Sequence, residues 1–232
     1  MMAIETFTSG PSTHKITVYS APVDGKKHPM ILLVHGNFGL GAPYGDQIRG
    51  FAQDLAELGY VTAVPQYYED DDPYLMDRSP DAHLPTLSAA IGKVAGRADA
   101  DPDRLGLIGF SLGAAIAMTY IASSAPGTVK VLADFFGFLT PTIQAGVGKF
   151  PPTIMFHNKH DRIVPVWNSE ELDRLLPSTV EHQLVAPYQE QWQEVNHAFR
   201  PGGEADLDSQ KKATDWIVRH LPPSALRVPP LV

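Results

Sequence analysis

"LGLIGFSLGAAIA", Leu105 to Ala117, joins a short apolar run of strand character to a run of small, apolar, helix-favouring residues. Ser111 sits at the join, flanked at two-residue spacing by Gly109 and Gly113. A sharp strand-to-helix turn lifts such a serine out of a sheet on strained backbone. Side chains at positions 109 and 113 would collide with the elements closing in, and glycine removes those collisions. The helix begins at the serine, so its free N–H groups point toward whatever the hydroxyl attacks. Chance alone places Gly-x-Ser-x-Gly in somewhat under about one chain in ten of this length, so the flanks carry the reading more than the motif does. The simpler alternative is a glycine-lined turn whose serine caps the helix.

Reading outward, "MILLVHG" (30–36) is an uninterrupted apolar run ending at glycine, as expected of a strand covered on both faces. A Gly-rich loop, "GNFGLGAP", leads to a helix over 43–59 with Ile48, Phe51, Ala52, Leu55 and Leu58 on one face. "YVTAVP" (60–65) is the next strand, and "ITVYSAP" (16–22) an earlier one. The acidic, aromatic stretch "QYYEDDDPYLMDRSP" reads as a surface loop. Further helices are predicted over 84–98, 112–123, 164–176 and 206–220, the last with Trp216 and Ile217 facing inward. Further strands are predicted over 129–137, 152–158 and 181–188. Apolar strands alternating with amphipathic helices predict an α/β fold: a mostly parallel central sheet, helices on both faces and no large cap domain. The whole chain, 1–232, reads as a single domain whose tail, 222–232, is too proline-rich for regular structure. In such sheets ligands bind at the carboxyl ends of the strands.

Composition narrows the function classes. The chain carries 18 Lys and Arg against 26 Asp and Glu, a net charge of −8, which argues against nucleic-acid and membrane-surface partners. It has no cysteine, so neither a thiol nucleophile nor a thiolate metal site is available. The first residues lack a basic stretch followed by an apolar core, and no run approaches a membrane span. A cytoplasmic protein is therefore expected.

A serine hydroxyl becomes a useful nucleophile only when a base takes its proton. "MFHNKHDRIVP" places Asp161 a few residues past a buried strand, and "EVNHAFRPGG" places His197 in a late polar loop. Serine, acid, histidine is the chain order of the α/β-hydrolase fold. Asp134, at the end of the strand in "VLADFFG", is the competing acid, and Asp161 could instead be a capping or turn aspartate. Among nine histidines, His197 alone combines a late position with a loop. The backbone N–H groups of Leu112 and Asn37 are the expected oxyanion donors. His35, beside glycine at a strand end, is expected to bond loop backbone. "HNKHD" is read as part of the acid loop rather than as a metal site.

These residues resemble the dienelactone hydrolase family, from "ILLVHGNFGLG" through "GFSLGAAIA" and "HNKHDRIVP" to "NHAFRPGG". The resemblance implies the α/β-hydrolase fold, a triad of Ser111, Asp161 and His197, and no metal or organic cofactor. It also implies carboxylate-binding arginines, for which Arg200 and Arg78 are the matching positions. Phe38 and Tyr68 are read as residues lining the substrate pocket. The best-known members use cysteine where this chain has Ser111 and carry a glutamate where it has Gly36. The serine favours general ester chemistry over the dienelactone substrate. Where the family often has glycine three residues before the acid, this chain has Asn158, a residue that tolerates positive φ. The expected activity is that of a dienelactone hydrolase-like carboxylic ester hydrolase acting on a small-molecule ester or lactone in a shallow pocket. The alternatives are a thioesterase or peptidase on the same site, or a non-catalytic binding protein on a hydrolase scaffold.

Overall fold

In the computed structural model, residues 1–68 and 79–224 are described. Eight strands form one sheet in the order β1-β2-β4-β3-β5-β6-β7-β8. They are β1 (Met2–Ser9), β2 (Ser12–Tyr19), β3 (His28–Val34), β4 (Val61–Pro65), β5 (Ala100–Phe110), β6 (Val129–Phe135), β7 (Thr153–Phe156) and β8 (His182–Leu184). β1, β2 and β4 pair antiparallel at one edge, and β4, β3, β5, β6, β7 and β8 run parallel.

Side-chain alternation explains how the sheet is covered. Met30, Leu32 and Val34 of β3 face one core, and Ile31 and Leu33 face the other. The first core is closed by α2 (Leu84–Ala95), α3 (Leu112–Ser123) and, through Leu172, α5 (Trp167–Leu175). The second is closed by α1 (Tyr44–Glu57) and α6 (Glu204–His220). Because both faces are covered, β3, β4 and the second half of β5 are buried along their length and largely apolar, which is why they stand out in the sequence. α3 is buried on almost every side, so it carries small and apolar residues all round instead of an amphipathic stripe. α4 (Pro141–Ala145) is a single capped turn, with the Thr140 hydroxyl accepting from the Ile143 N–H.

Three sequence expectations change. Met2–Ser9 is a strand, paired with β2 across a turn at Gly10, where φ is 57°. Phe7 is its only fully buried apolar side chain, so the segment has no periodic pattern to betray it. β2 lies earlier than expected, at Ser12–Tyr19. The last strand is shorter than 181–188, although Tyr188 still bridges to Asn158 beyond it. Of the proline-rich tail, residues 225–232 lie outside the described residues. Among the described residues no helix is long and apolar enough to cross a membrane.

Candidate active site

The site gathers where the parallel strands end. Ser111 follows the last residue of β5 with φ 54° and ψ −119°, and α3 starts at the next residue. Its N–H donates to the Phe135 carbonyl at 2.9 Å, and its carbonyl accepts from Ala114 and Ala115 at 3.0 and 3.1 Å. The flanking glycines are sterically required. A Cβ on Gly109 would lie 2.3 Å from the Ala114 Cα, and one on Gly113 would lie 2.0 Å from the Val34 carbonyl oxygen.

His197 reaches this hydroxyl from the far end of the chain. Its Nε2 is 2.7 Å from Ser111 Oγ, and its Nδ1 is 2.7 Å from Asp161 Oδ2. A carboxylate only accepts, so Nδ1 carries the proton and Nε2 is free to accept from the serine. The ring is held edge-on against Phe136 at 5.2 Å, and the preceding residue, Asn196, has φ 50°. The positive φ in this region thus falls at Asn196, not at Asn158. The Asn158 side chain instead donates to the Glu190 carbonyl and accepts from the His160 N–H.

Asp161 lies on the loop after β7. Its Oδ1 accepts from the Ile163 and Val164 N–H groups, each at 2.8 Å. Burial pushes its carboxyl up, but hydrogen bonds from His157, His197 and the Val164 N–H outweigh that and hold it below the usual carboxylate range. It is therefore ionised and aimed at His197. His157 is a second imidazole on this carboxylate and was not anticipated as a partner. Its Nε2 lies 2.8 Å from the Val164 carbonyl and 3.4 Å from Asp161 Oδ2, and its Nδ1 lies 2.7 Å from Ser169 Oγ. Because the carbonyl only accepts, Nε2 carries the proton. The available signal was its place just past β7, four residues before the acid.

Asp134, the competing acid, is engaged elsewhere. Its Oδ1 accepts from the Gly137 N–H at 2.9 Å, and its Oδ2 is buried without a partner among the described residues. Burial raises this carboxyl from the ordinary 3.8 to about 6, against the opposing effects of His157 and the Gly137 N–H. The native state therefore holds a proton that the unfolded chain releases, and this group's contribution to stability falls as pH rises from about 4 to about 6. Asp134→Asn should gain on the wild type across that window by roughly 3 kcal/mol at most, two pKa units at about 1.4 kcal/mol each. Urea denaturation of both proteins at pH 4.5 and 7 measures the gap. A gap that does not change with pH would mean that Asp134 does not carry this linkage.

The loop after β3 completes the site. His35 Nδ1 donates to the Gly36 carbonyl at 2.8 Å, and burial lowers this imidazole to about 4, so the ring is neutral. Tyr67 stacks on it at 4.2 Å and donates to the His35 carbonyl. Tyr68 donates to the carbonyls of both Gly36 and Asn37. The backbone of 35–37 is thus tied down beside the serine. A Cβ on Gly36 would lie 3.3 Å from that of Ser111, so a bare backbone leaves room over the hydroxyl. Leu112 is the first residue of α3, so its N–H has no acceptor within the helix.

A cavity of about 640 Å³ opens here, lined in part by Asn37, Phe38, Ser111, Leu112 and His197. That volume is ordinary for a small-molecule pocket. Phe38 stands at its rim, 70% exposed. Two residues expected to bind substrate do not line it. Tyr68 spends its hydroxyl on the loop carbonyls. Arg200 is exposed beside the buried Phe199, and its N–H is bonded to Glu190. Arg78 lies outside the described residues. Phe136, Ile163 and Val195 line the cavity without having been singled out, since each reads as an ordinary strand-end or loop residue.

The dienelactone hydrolase family matches the chain over residues 16–219. Among solved structures, a candidate dienelactone hydrolase from Klebsiella pneumoniae subsp. pneumoniae MGH 78578 superimposes with a TM-score of 0.71 at 20% identity, covering 95% of this chain and 98% of that one. Thermogutta terrifontis esterase 2, phosphoramylated by tabun, gives 0.76 at 16% identity, covering 97% and 96%. The Pyrococcus horikoshii acylaminoacyl peptidase gives 0.77 at 15% identity, covering 96% of this chain but 42% of the peptidase. These likenesses establish the α/β-hydrolase fold. No curated protein matches the chain.

Proposed function

The chain belongs to the dienelactone hydrolase family, and from that premise we propose that it is a serine hydrolase of small esters or lactones. His197 Nε2 takes the proton of Ser111 as Oγ attacks the acyl carbon. The tetrahedral oxyanion is held by the N–H groups of Leu112 and Asn37. Collapse breaks the bond to the leaving oxygen, which receives the proton from His197. A water, deprotonated by the same nitrogen, then attacks the acyl-enzyme, and Ser111 leaves with its proton restored. Asp161 stays ionised throughout. It orients the ring and stabilises the imidazolium formed in each half-reaction. His157 is a positioning residue that acts through Asp161.

The observation that supports this reading most is the unbroken hydrogen-bonded chain from Ser111 through His197 to Asp161 at the mouth of a cavity. The test is labelling of the full chain with a fluorophosphonate, for which the phosphoramylated Thermogutta esterase is a precedent. Intact-mass measurement should find one adduct per chain, and none on Ser111→Ala. A folded wild-type protein that takes up no label would favour the binding-scaffold alternative.

A further inference from the structure

We propose that the cavity beside Ser111 selects uncharged esters with an apolar acyl group and rejects acyl groups that end in a carboxylate. This rests on the serine hydrolase reading above and adds the substrate class to it.

The first observation is what the wall lacks. Among the described residues, no Lys, Arg, Asp or Glu lines the cavity. Its bulk is apolar and includes Ile48, Phe110, Phe136, Phe138, Ile163 and Val195. Most polar side chains in the wall are already engaged by the protein, and the buried Oδ1 of Asn37, without a partner among the described residues, is an acceptor that a carboxylate cannot bond. Gln47 donates its amide to Asp206. Asn168 donates to the Pro165 carbonyl and accepts from the Leu139 N–H. Tyr44 bonds Gln193, and burial raises its hydroxyl above the usual phenol range, so it is neutral. Two cations adjoin the wall in sequence: Arg49 is committed to Asp46 and the Leu40 carbonyl, and Arg162, whose backbone N–H donates to the Val195 carbonyl, is exposed and does not line the cavity.

The second observation is what stands behind the wall. Three carboxylates stand behind the wall: Asp206 bonded to Gln47, Glu190 acting on Tyr44, and ionised Asp161 bonded to His197. A ligand carboxylate would therefore lose its water in an apolar space, find no cation among the described lining residues, and face anions of its own sign. A hydrocarbon acyl chain meets none of these penalties and buries apolar surface. This departs from what the family resemblance implies, for which Arg200 and Arg78 were the matching positions.

The experiment compares kcat/KM for 4-nitrophenyl hexanoate and mono(4-nitrophenyl) adipate, with the rate over Ser111→Ala subtracted as background. The two acyl groups have equal length and the same leaving group, and differ in a terminal methyl against a terminal carboxylate. The expected result is a preference of about a hundredfold or more for the hexanoate. Ile163→Arg, at a rim position that is 57% exposed, should narrow that preference by about tenfold by supplying a cation. Arg200→Ala should leave the ratio at its wild-type value. Equal rates, or faster turnover of the adipate, would overturn the substrate class while leaving the serine chemistry standing. Arg78→Ala would then show whether that arginine supplies the missing cation. Fluorophosphonate labelling without turnover of either ester also overturns the substrate class. No turnover and no labelling would remove the hydrolase reading itself.

Discussion

Ser111→Ala should lower kcat/KM on any accepted ester by about 10⁴-fold or more, because the acyl-enzyme route is lost while the rest of the site stays in place. The same position should also separate activity from stability. Its φ of 54° and ψ of −119° lie where a side chain is unwelcome and glycine is at ease. The conformation persists because neighbours impose it: the Ser111 N–H is bonded to Phe135, and its carbonyl opens the hydrogen-bond ladder of α3. Ser111→Ala keeps the strained Cβ, whereas Ser111→Gly relieves it. The glycine variant should therefore exceed the alanine variant by about 1 kcal/mol in urea denaturation, with both equally inactive. A Ser111→Ala protein retaining more than about a hundredth of wild-type kcat/KM would remove the nucleophile assignment. Glycine and alanine variants of equal stability would show that the backbone at this turn stores no strain.

The contrast between what was legible in the sequence and what was not follows the same physics. The parallel strands announce themselves because burial on both faces demands unbroken apolar runs, as in "MILLVHG". Ser111, Asp161 and His197 were recognisable because each follows a strand or precedes the last helix, and the fold brings such positions to one sheet edge. β1 left no trace because an edge strand with one buried side chain has no need of a pattern. The cavity wall was also not legible. Nearness along the chain suggested Arg200, yet in this loop Phe199 is buried and Arg200 is exposed. Aromaticity suggested Tyr68, whose hydroxyl is occupied by the carbonyls of Gly36 and Asn37. A wall assembled from several loops and strand ends is a property of their convergence, and no local pattern in any of them records it.

One substitution, glycine to alanine, should have opposite effects at two helical positions. At Gly113 the added Cβ would sit 2.0 Å from the Val34 oxygen and 2.3 Å from that of His35. Both are backbone atoms at the end of β3, so no side chain can swing aside, and α3 must move off the sheet. The expected loss is about 3–5 kcal/mol. At Gly92, an exposed position within α2, nothing lies within 4 Å and φ is not positive. There alanine should add about 1 kcal/mol by restricting the unfolded chain and favouring the helix. The difference matters for function as well as stability. The close approach of α3 to β3 at Gly113 sets how near Ser111 and the Leu112 N–H lie to the 35–37 backbone, so any Gly113→Ala protein that folds should also lose turnover. Urea denaturation of the two variants, with ester hydrolysis assayed on whatever folds, measures both consequences. A Gly113→Ala protein as stable as the wild type would mean that the packing of α3 on β3 is looser than a 2.0 Å approach implies, and a loss at Gly92→Ala would mean that alanine is not accommodated there.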